Sequence, residues 1–486
     1  MRTTYIIPEP ADIYGVRLIE LIYYKFGIRP ICLFTWNKKS YYLRRQYSIF
    51  NSDMIEGAYY VPKEELGQFA QWVKRQYHVL GVVAHIEFVV DIVADLMESL
   101  DLDWNTAEVL HRFRDKHSMK SFLQGKNPEL NMPESHIVKN VDEIMDYANS
   151  WEKLVLKPND GTGNTHVGIF ENSVSKEALQ AHLDNDPSSK WVLEEYIEGE
   201  EYCINGHVGS AGNVMVNSIY QYGRTWANGR DAMYVREYHV KQTTEAFGTL
   251  SSYAQKVIQG LELRHSPFHM EVKVDNKGPR LIDLGARLEG NDGVFVSDWL
   301  HPQMPSSFEI AAHGYLFRDN LGVQEPDWSN YNDSNSLKVY GIASQDAIVH
   351  RVGGIQEVES LPSFARWYIK PQIGQKITKT LDLLSMPYAV YLIDKAPMES
   401  LLEDENYVRQ TLTWNGDKLK TYSIDRAKGY VSFLKDKMVP KMSWWAHRTV
   451  GYNDILKSYS SRLTALACIP SVLGMFDQHI FNSICF

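Results

Sequence analysis

An apolar run ending at Lys157 passes directly into Pro158 and a turn of glycines and small polar residues, LVLKPNDGTGNTHVGIF over residues 154–170. Glycine leaves backbone N–H groups open to anionic oxygens with no Cβ in the way. A lysine beside such a turn, with Gly161, Thr162, Gly163 and Asn164 in it, makes a phosphate cradle. A second stretch, WVLEEYIEGEEYCING over residues 191–206, ends a short apolar strand in Glu194 and Glu195, then sets Gly199 before Glu200 and Glu201. A strand leaving its sheet at Glu195, Tyr196 and Ile197 offers a backbone acceptor and donor to one edge of an adenine, and the carboxylates beyond it suit ribose hydroxyls. In the third, HMEVKVDNKGPRLIDLGARLEGND over residues 269–292, a turn at residues 276–279 separates two strand-like runs that carry Glu271 and Asp283, twelve positions apart. A hairpin there brings both carboxylates to one end of a site, and two hard oxygen ligands beside a phosphate cradle suit magnesium.

The elements that must hold these residues read as an alternation. Residues 4–8 form a strand and residues 12–26 a helix with Ile13, Val16, Leu18, Ile19 and Ile22 at helical spacing; residues 30–35 form a second strand, a βαβ opening. No G-x-G-x-x-G follows the first strand, so a dinucleotide fingerprint is absent and the layer reads as structural. A strand over 79–85 and a helix over 87–100 follow, the helix packing through Phe88, Val89, Ile92, Val93, Leu96, Met97 and Leu100. Residues 175–183 read as a helix, 213–240 as a strand and then an irregular segment holding Arg224, Arg230 and Arg236, either a lid over the site or an ordinary solvated loop. Residues 307–317 read as a helix and 326–336 as a polar loop. His265 and His269 are spaced like a metal pair, but Pro267 between them breaks a helix, so no zinc site is read.

Glycine turns after strands are usually only turns, and paired glutamates are usually a solvated face; the order of the three stretches is what carries meaning. In that order they resemble the nucleotide site of the ATP-grasp superfamily: a strand lysine, a mobile glycine loop, an E-E-hydrophobic hinge and two metal-binding acids. RFRDKHSMKSFLQGKNPELNMPES, residues 112–135, resembles the D-K-x-x-x-K-x-x-L entry helix of that family, which implies Lys116 as a phosphate ligand and leaves Lys120 on the surface. By the same resemblance Glu201 is the ribose ligand, with Glu200 its competitor. LIDLGARLEGN resembles the I-E-x-x-A-R-x-x-G signature of a carboxylate-amine ligase branch that includes bacterial L-amino acid ligases and carnosine synthases. This implies that Arg287, four residues beyond Asp283, holds the transferred phosphoryl group or the substrate carboxylate. Asp283 stands where a glutamate is usual, and Gly285 where many members carry a metal-binding asparagine.

The resemblance implies an α/β fold, α+β in the nucleotide domain. It comprises an N-terminal parallel-sheet domain over residues 1–105, a two-subdomain ATP-grasp domain over 106–335 and a small β-rich C-terminal subdomain over 336–412, with an extension of unknown role over 413–486. It implies ATP and Mg2+, with Mn2+ as a substitute, and formation of an amide through an acyl phosphate, releasing ADP and phosphate. The partners are then a small-molecule carboxylate and an amine. The same motifs are compatible with another acceptor (a peptide terminus, a thiol or carbonate), with a small-molecule kinase, and with a nucleotide-binding protein that turns nothing over.

Composition narrows the classes further. Across 486 residues, 44% apolar and 23% charged content suits a globular protein of about three domains. The net charge of −10 and the lack of a basic stripe argue against nucleic acid as a partner. Four scattered cysteines (Cys32, Cys203, Cys468, Cys485) suit a reducing cytoplasm. The start lacks the pattern of a signal peptide, and the apolar run over 463–475 is broken by Pro470, so the aromatic tail is expected to pack or to make an oligomer contact rather than to enter a membrane.

Overall fold

A computed structural model describes residues 1–417 apart from 45, 103, 149, 162–164, 322 and 323. The N-terminal layer is a parallel sheet of β1 (Arg2–Pro8), β2 (Arg29–Phe34), β3 (Gly57–Tyr60) and β4 (Tyr77–Val82), in the order β3-β2-β1-β4. The helix Ile13–Phe26 crosses from β1 to β2. Asp12 caps its start by accepting from the Tyr14 and Gly15 N–H groups, and Gly27 ends it at φ 68°. The expected helix over 87–100 begins as a 3₁₀ turn, Glu87–Val89, before the α-helix Val90–Ser99. That turn sets Glu87 apart from the packing face.

A second, antiparallel sheet holds β5 (Ser135–Val138), β6 (Lys153–Pro158), β7 (Gly168–Glu171) and β8 (Trp191–Glu195), in the order β5-β8-β6-β7. Leu154, Leu156, Trp191 and Leu193 pack on Ile144, Leu179 and Leu183 of the helices Val141–Ala148 and Lys176–Leu183. This buried face is why Lys157 is delivered to the end of β6 with its backbone fixed.

The chain continues through β9 (Glu200–Val208), β10 (Val214–Ala227), β11 (Arg230–His239), β12 (Ser266–Asp275), β13 (Gly278–Gly285), β14 (Asn335–Tyr340), β15 (Ala347–Gly353), β16 (Phe364–Ile369), β17 (Lys376–Ile377), β18 (Ala389–Asp394) and β19 (Thr413–Asp417). Eight of these form one antiparallel sheet, β13-β12-β9-β10-β11-β14-β18-β16, and β17-β15-β19 form a small fourth sheet beside it. The strands after residue 335 therefore extend the sheet that carries the hairpin β12–β13. The irregular segment expected within 213–240 is instead the long hairpin β10–β11. Asn228 and Gly229, at φ 56° and 82°, make its turn. Asn-Gly is the strongest short hairpin signal, and both positive φ values suit a type I′ turn.

Register then aligns polar residues across the sheet. Asp283, Glu271, Cys203, Tyr220 and His239 are successive partners in one row; Lys273, Glu201, Tyr222, Glu237, Lys338, Tyr391 and Arg366 are partners in the next. Alternation along each strand puts both rows on one face, and that face is the floor of a cleft. The roof is the four-stranded sheet β5–β8, and the N-terminal layer closes one end.

Candidate functional site

The cleft has a volume of about 940 Å³ and is lined from all three layers. At its centre Glu271 and Asp283 are direct register partners, with a bulge immediately after Glu271. The hairpin expected from sequence thus brings the two acids side by side. Asp283 Oδ2 lies 3.0 Å from Lys116 Nζ, and Glu271 Oε1 lies 3.7 Å from His269 Nε2. Burial would raise the Asp283 pKa, but Lys116 and Lys157 outweigh it and hold the carboxyl at about 2. Glu271 is likewise lowered: burial opposes this, while the bond and charge of His269 favour it. Two ionised hard carboxylates on adjacent strands are a fitting donor set for a divalent cation of the magnesium type.

Lys116 is placed by the start of its helix. Asp115 caps the helix Lys116–Lys126 through the Ser118 N–H at 2.7 Å. The buried Asn159, just beyond β6, accepts from the His117 N–H through its side chain at 3.1 Å and from the Lys116 N–H through its carbonyl at 3.2 Å. Lys116 Nζ then donates to the Gly161 carbonyl at 2.6 Å, tying the entry helix to the cradle turn. The three central residues expected in that turn, Thr162, Gly163 and Asn164, lie outside the described residues. So do 418–486, which hold most of the C-terminal extension, including the run over 463–475.

Lys120 corrects the sequence reading. It was expected on the surface, yet it is 1% exposed and donates to Glu194 Oε1 at 2.5 Å. Lys157 Nζ holds the other oxygen of the same carboxylate at 2.9 Å. Glu194 is therefore turned inward as the shared anion of two buried lysines. Burial would raise its pKa, and Lys120 and Lys157 together bring it down. Burial, reinforced by Lys157, lowers Lys120 to about 7 against the pull of Glu194. Lys157 is raised instead, because Glu194, Asp283 and Glu271 all act on it and outweigh its burial. Spacing carried the missed signal: Lys116 and Lys120 are i and i+4, one face of one helix.

At the hinge, Glu195 pairs with the buried Arg280 and accepts from the Glu134 N–H at 2.9 Å. The Tyr196 N–H donates to the Lys153 carbonyl at 3.2 Å, and the Ile197 carbonyl accepts from Lys273 at 2.9 Å. Gly199 follows at φ 138°, where a Cβ would stand 2.1 Å from the Val274 carbonyl oxygen, so only glycine lets the chain turn from hinge to β9 this close to β12. Glu201 is buried and ion-paired to Arg224, which also donates to Tyr234 Oη at 2.6 Å. Arg224 thus lies on the cleft floor rather than on a lid, and Arg236 pairs with Glu405 at 2.9 Å. Glu200 accepts from Tyr202.

Arg287 enters the same end of the cleft and donates to Glu87 Oε2 at 2.8 Å. Glu87 also accepts from Arg114 at 2.9 Å, and Arg114 reaches the Asp160 carbonyl at 2.9 Å. Burial would lower the Arg287 pKa, but Glu87 outweighs it and raises it. The sequence reading placed Glu87 in a helix that only packs; the structure makes it the link between the N-terminal layer and Arg287. His269, read as no part of a zinc site, sits on β12 with Nδ1 2.7 Å from Asn205 Oδ1, and Asn205 donates to Glu289 at 2.7 Å.

A cleft between a lysine-bearing four-stranded sheet and a larger sheet carrying paired acids can take an anionic, phosphate-bearing ligand together with a divalent cation. Residues 152–293 match the ATP-grasp domain family. The dapdiamide A synthase of Enterobacter agglomerans is 25% identical over 333 residues, which are 66% of this chain and 76% of that protein. The L-amino acid ligase of Bacillus licheniformis aligns at a TM-score of 0.63 and 17% identity over 86% of this chain and 99% of that one. The N5-carboxyaminoimidazole synthase of Aspergillus clavatus, solved with ADP and its ribonucleotide, aligns at a TM-score of 0.56 and 13% identity over 84% and 99%. Residues 152–293 thus carry an ATP-grasp domain, and the fold is that of these ligase structures.

Proposed function

We propose that the chain is a carboxylate-amine ligase acting on amino acids or small carboxylic acids. ATP would transfer its γ-phosphoryl group to a substrate carboxylate, and an amine would displace phosphate from the acyl phosphate, leaving an amide and ADP. The observation that carries this reading is the convergence of Lys116, Lys157, Arg287, Glu271 and Asp283 at one end of the cleft. Lys116 and Lys157 would meet phosphate oxygens on leaving the carboxylates that hold them now, Asp283 and Glu194. Glu271 and Asp283 would hold magnesium, which neutralises phosphate charge when bound. Arg287, oriented by Glu87, supplies fixed positive charge where the acyl phosphate develops its own. The hinge pair at Tyr196 and Ile197 suits an adenine edge, and Glu201 a ribose hydroxyl once Arg224 shares it. The similarity to an amino acid ligase and to dapdiamide A synthase supports amine and amino acid substrates.

The test is a phosphate-release screen over pairs of amino acids and small carboxylic acids, with the nucleotide product identified. ADP is expected, with one heavy oxygen from a labelled carboxylate carried into the phosphate; AMP as the product overturns the reading.

A further inference from the structure

The proposed ligase chemistry needs a proton acceptor, because an amine arrives as an ammonium ion that has no lone pair with which to attack. The residues assigned to the phosphates and the metal are poor acceptors for it. Lys116, Lys157 and Arg287 are cations, and Glu271 and Asp283 are committed to metal and lysines.

The wall contributed by the N-terminal layer carries one further constellation. His85, three residues beyond β4, has a fully buried side chain, and its Nε2 lies 2.7 Å from Asp12 Oδ2. The other oxygen of Asp12 is pinned by the Tyr14 and Gly15 N–H groups at 2.7 and 3.0 Å, so the carboxylate cannot swing away. Facing a carboxylate, Nε2 carries the ring proton and Nδ1 keeps the lone pair. That Nδ1 atom is buried with no hydrogen-bond partner among the described residues. An unpaired buried acceptor costs about 1–3 kcal/mol, so its retention calls for a reason.

Position supplies one. Asp12 and His85 both line the cleft. Two residues beyond His85, Glu87 holds Arg287. Two residues beyond Asp12, the Tyr14 hydroxyl donates to the Glu289 carbonyl at 2.8 Å and accepts from the Asp292 N–H at 3.2 Å. The dyad is thus flanked on both sides by residues that grip the loop 287–292, which leaves the strand of Asp283.

We infer that His85 is the general base of the ligation, with Asp12 as the positioning residue that sets its tautomer. This rests on the ligase reading above. Nδ1 takes one proton from the ammonium group, and the freed amine attacks the carbonyl carbon of the acyl phosphate. The C–N bond forms, the C–O bond to phosphate breaks, and the second nitrogen proton leaves with the phosphate. The imidazolium, stabilised by Asp12, then returns its proton to water.

Hydroxylamine separates this role from a structural one, since it is largely unprotonated at neutral pH and attacks an acyl phosphate without a base. The full chain is given ATP, magnesium and the twenty standard amino acids as carboxylate and amine, and is then assayed with hydroxylamine replacing the amine. His85→Gln should lower amide formation relative to hydroxamate formation by about 100-fold or more, within the usual span of general-base catalysis. Asp12→Asn keeps a side-chain oxygen for the helix cap but turns an N–H donor towards Nε2, forcing the proton onto Nδ1. It should shift the same ratio in the same direction. Equal loss of amide and hydroxamate in both variants, or loss of neither, overturns the assignment. A wild-type chain that makes neither product overturns the ligase reading instead.

Discussion

At the scale of single residues, the site is a set of charges that balance one another before any substrate arrives. Glu194 is shared by two buried lysines, Lys120 and Lys157, at 2.5 and 2.9 Å, and Asp283 and Glu271 add further negative charge around Lys157. Removing the anion from such a group leaves uncompensated buried charge, which costs about 3–5 kcal/mol. Glu194→Gln should therefore lower unfolding stability by that order in urea titrations, whereas Lys157→Ala should leave the chain folded and abolish measurable ATP binding by calorimetry. Unchanged ATP affinity in folded Lys157→Ala would remove this lysine from the phosphate site. The acid pair makes a second prediction. The Asp283 pKa falls from its ordinary 3.8 to about 2 in the fold, so this group stabilises the native state above pH 4, and that contribution is lost as pH falls towards 2. The ionised carboxylate is worth about 2 kcal/mol at neutral pH by this linkage. Asp283→Asn should thus be less stable than wild type at pH 7, with the gap narrowing between pH 4 and 2. Glu271→Gln and Asp283→Asn should each abolish magnesium-dependent phosphate release, and Asp283→Glu should retain part of it; wild-type magnesium titration curves in both neutral variants would show that the pair does not bind the metal.

At the scale of elements, the hairpins set the chemistry. The β12–β13 pairing puts Glu271 opposite Asp283, and a slip of one residue would send one of them to the other face of the sheet. The β10–β11 hairpin puts Arg224 beside Glu201, and at its tip Asn228 donates to the Ala343 and Thr380 carbonyls at 2.9 and 2.8 Å, fastening the eight-stranded sheet to the segments that flank β15 and β17. Gly229→Val places a β-branched residue where φ is 82°, so it should strain this turn and lower the thermal midpoint by several degrees, about 1–3 kcal/mol. Gly199→Ala should do more harm to nucleotide affinity than to the N-terminal layer, because its Cβ would meet the Val274 carbonyl where hinge and floor converge. Calorimetric ATP titration of the folded variant checks this; affinity equal to wild type would show that the hinge tolerates the shift.

At the scale of the whole molecule, three layers meet at one cleft, and each supplies something the others lack. The β5–β8 sheet brings lysines and the hinge, the eight-stranded sheet brings acids and an arginine floor, and the N-terminal layer brings Glu87 and the Asp12–His85 dyad. Among the described residues no helix is long and apolar enough to cross a membrane. What the sequence determined by itself was local. The strand before Lys157, the hinge after Trp191 and the hairpin bearing Glu271 and Asp283 are each contained in a short stretch, where periodicity, glycine and turn chemistry set the backbone over a few residues. The resemblance of their order to ATP-grasp sites then joined them. Tertiary structure alone decided which charges meet. Lys120 is 74 positions from Glu194, Glu87 is 200 from Arg287 and Asp12 is 73 from His85, and in each case the partner is chosen by sheet register and layer packing. A lone lysine, glutamate or histidine looks like a solvated residue in sequence, because desolvation and pairing arise only when distant elements bury it together.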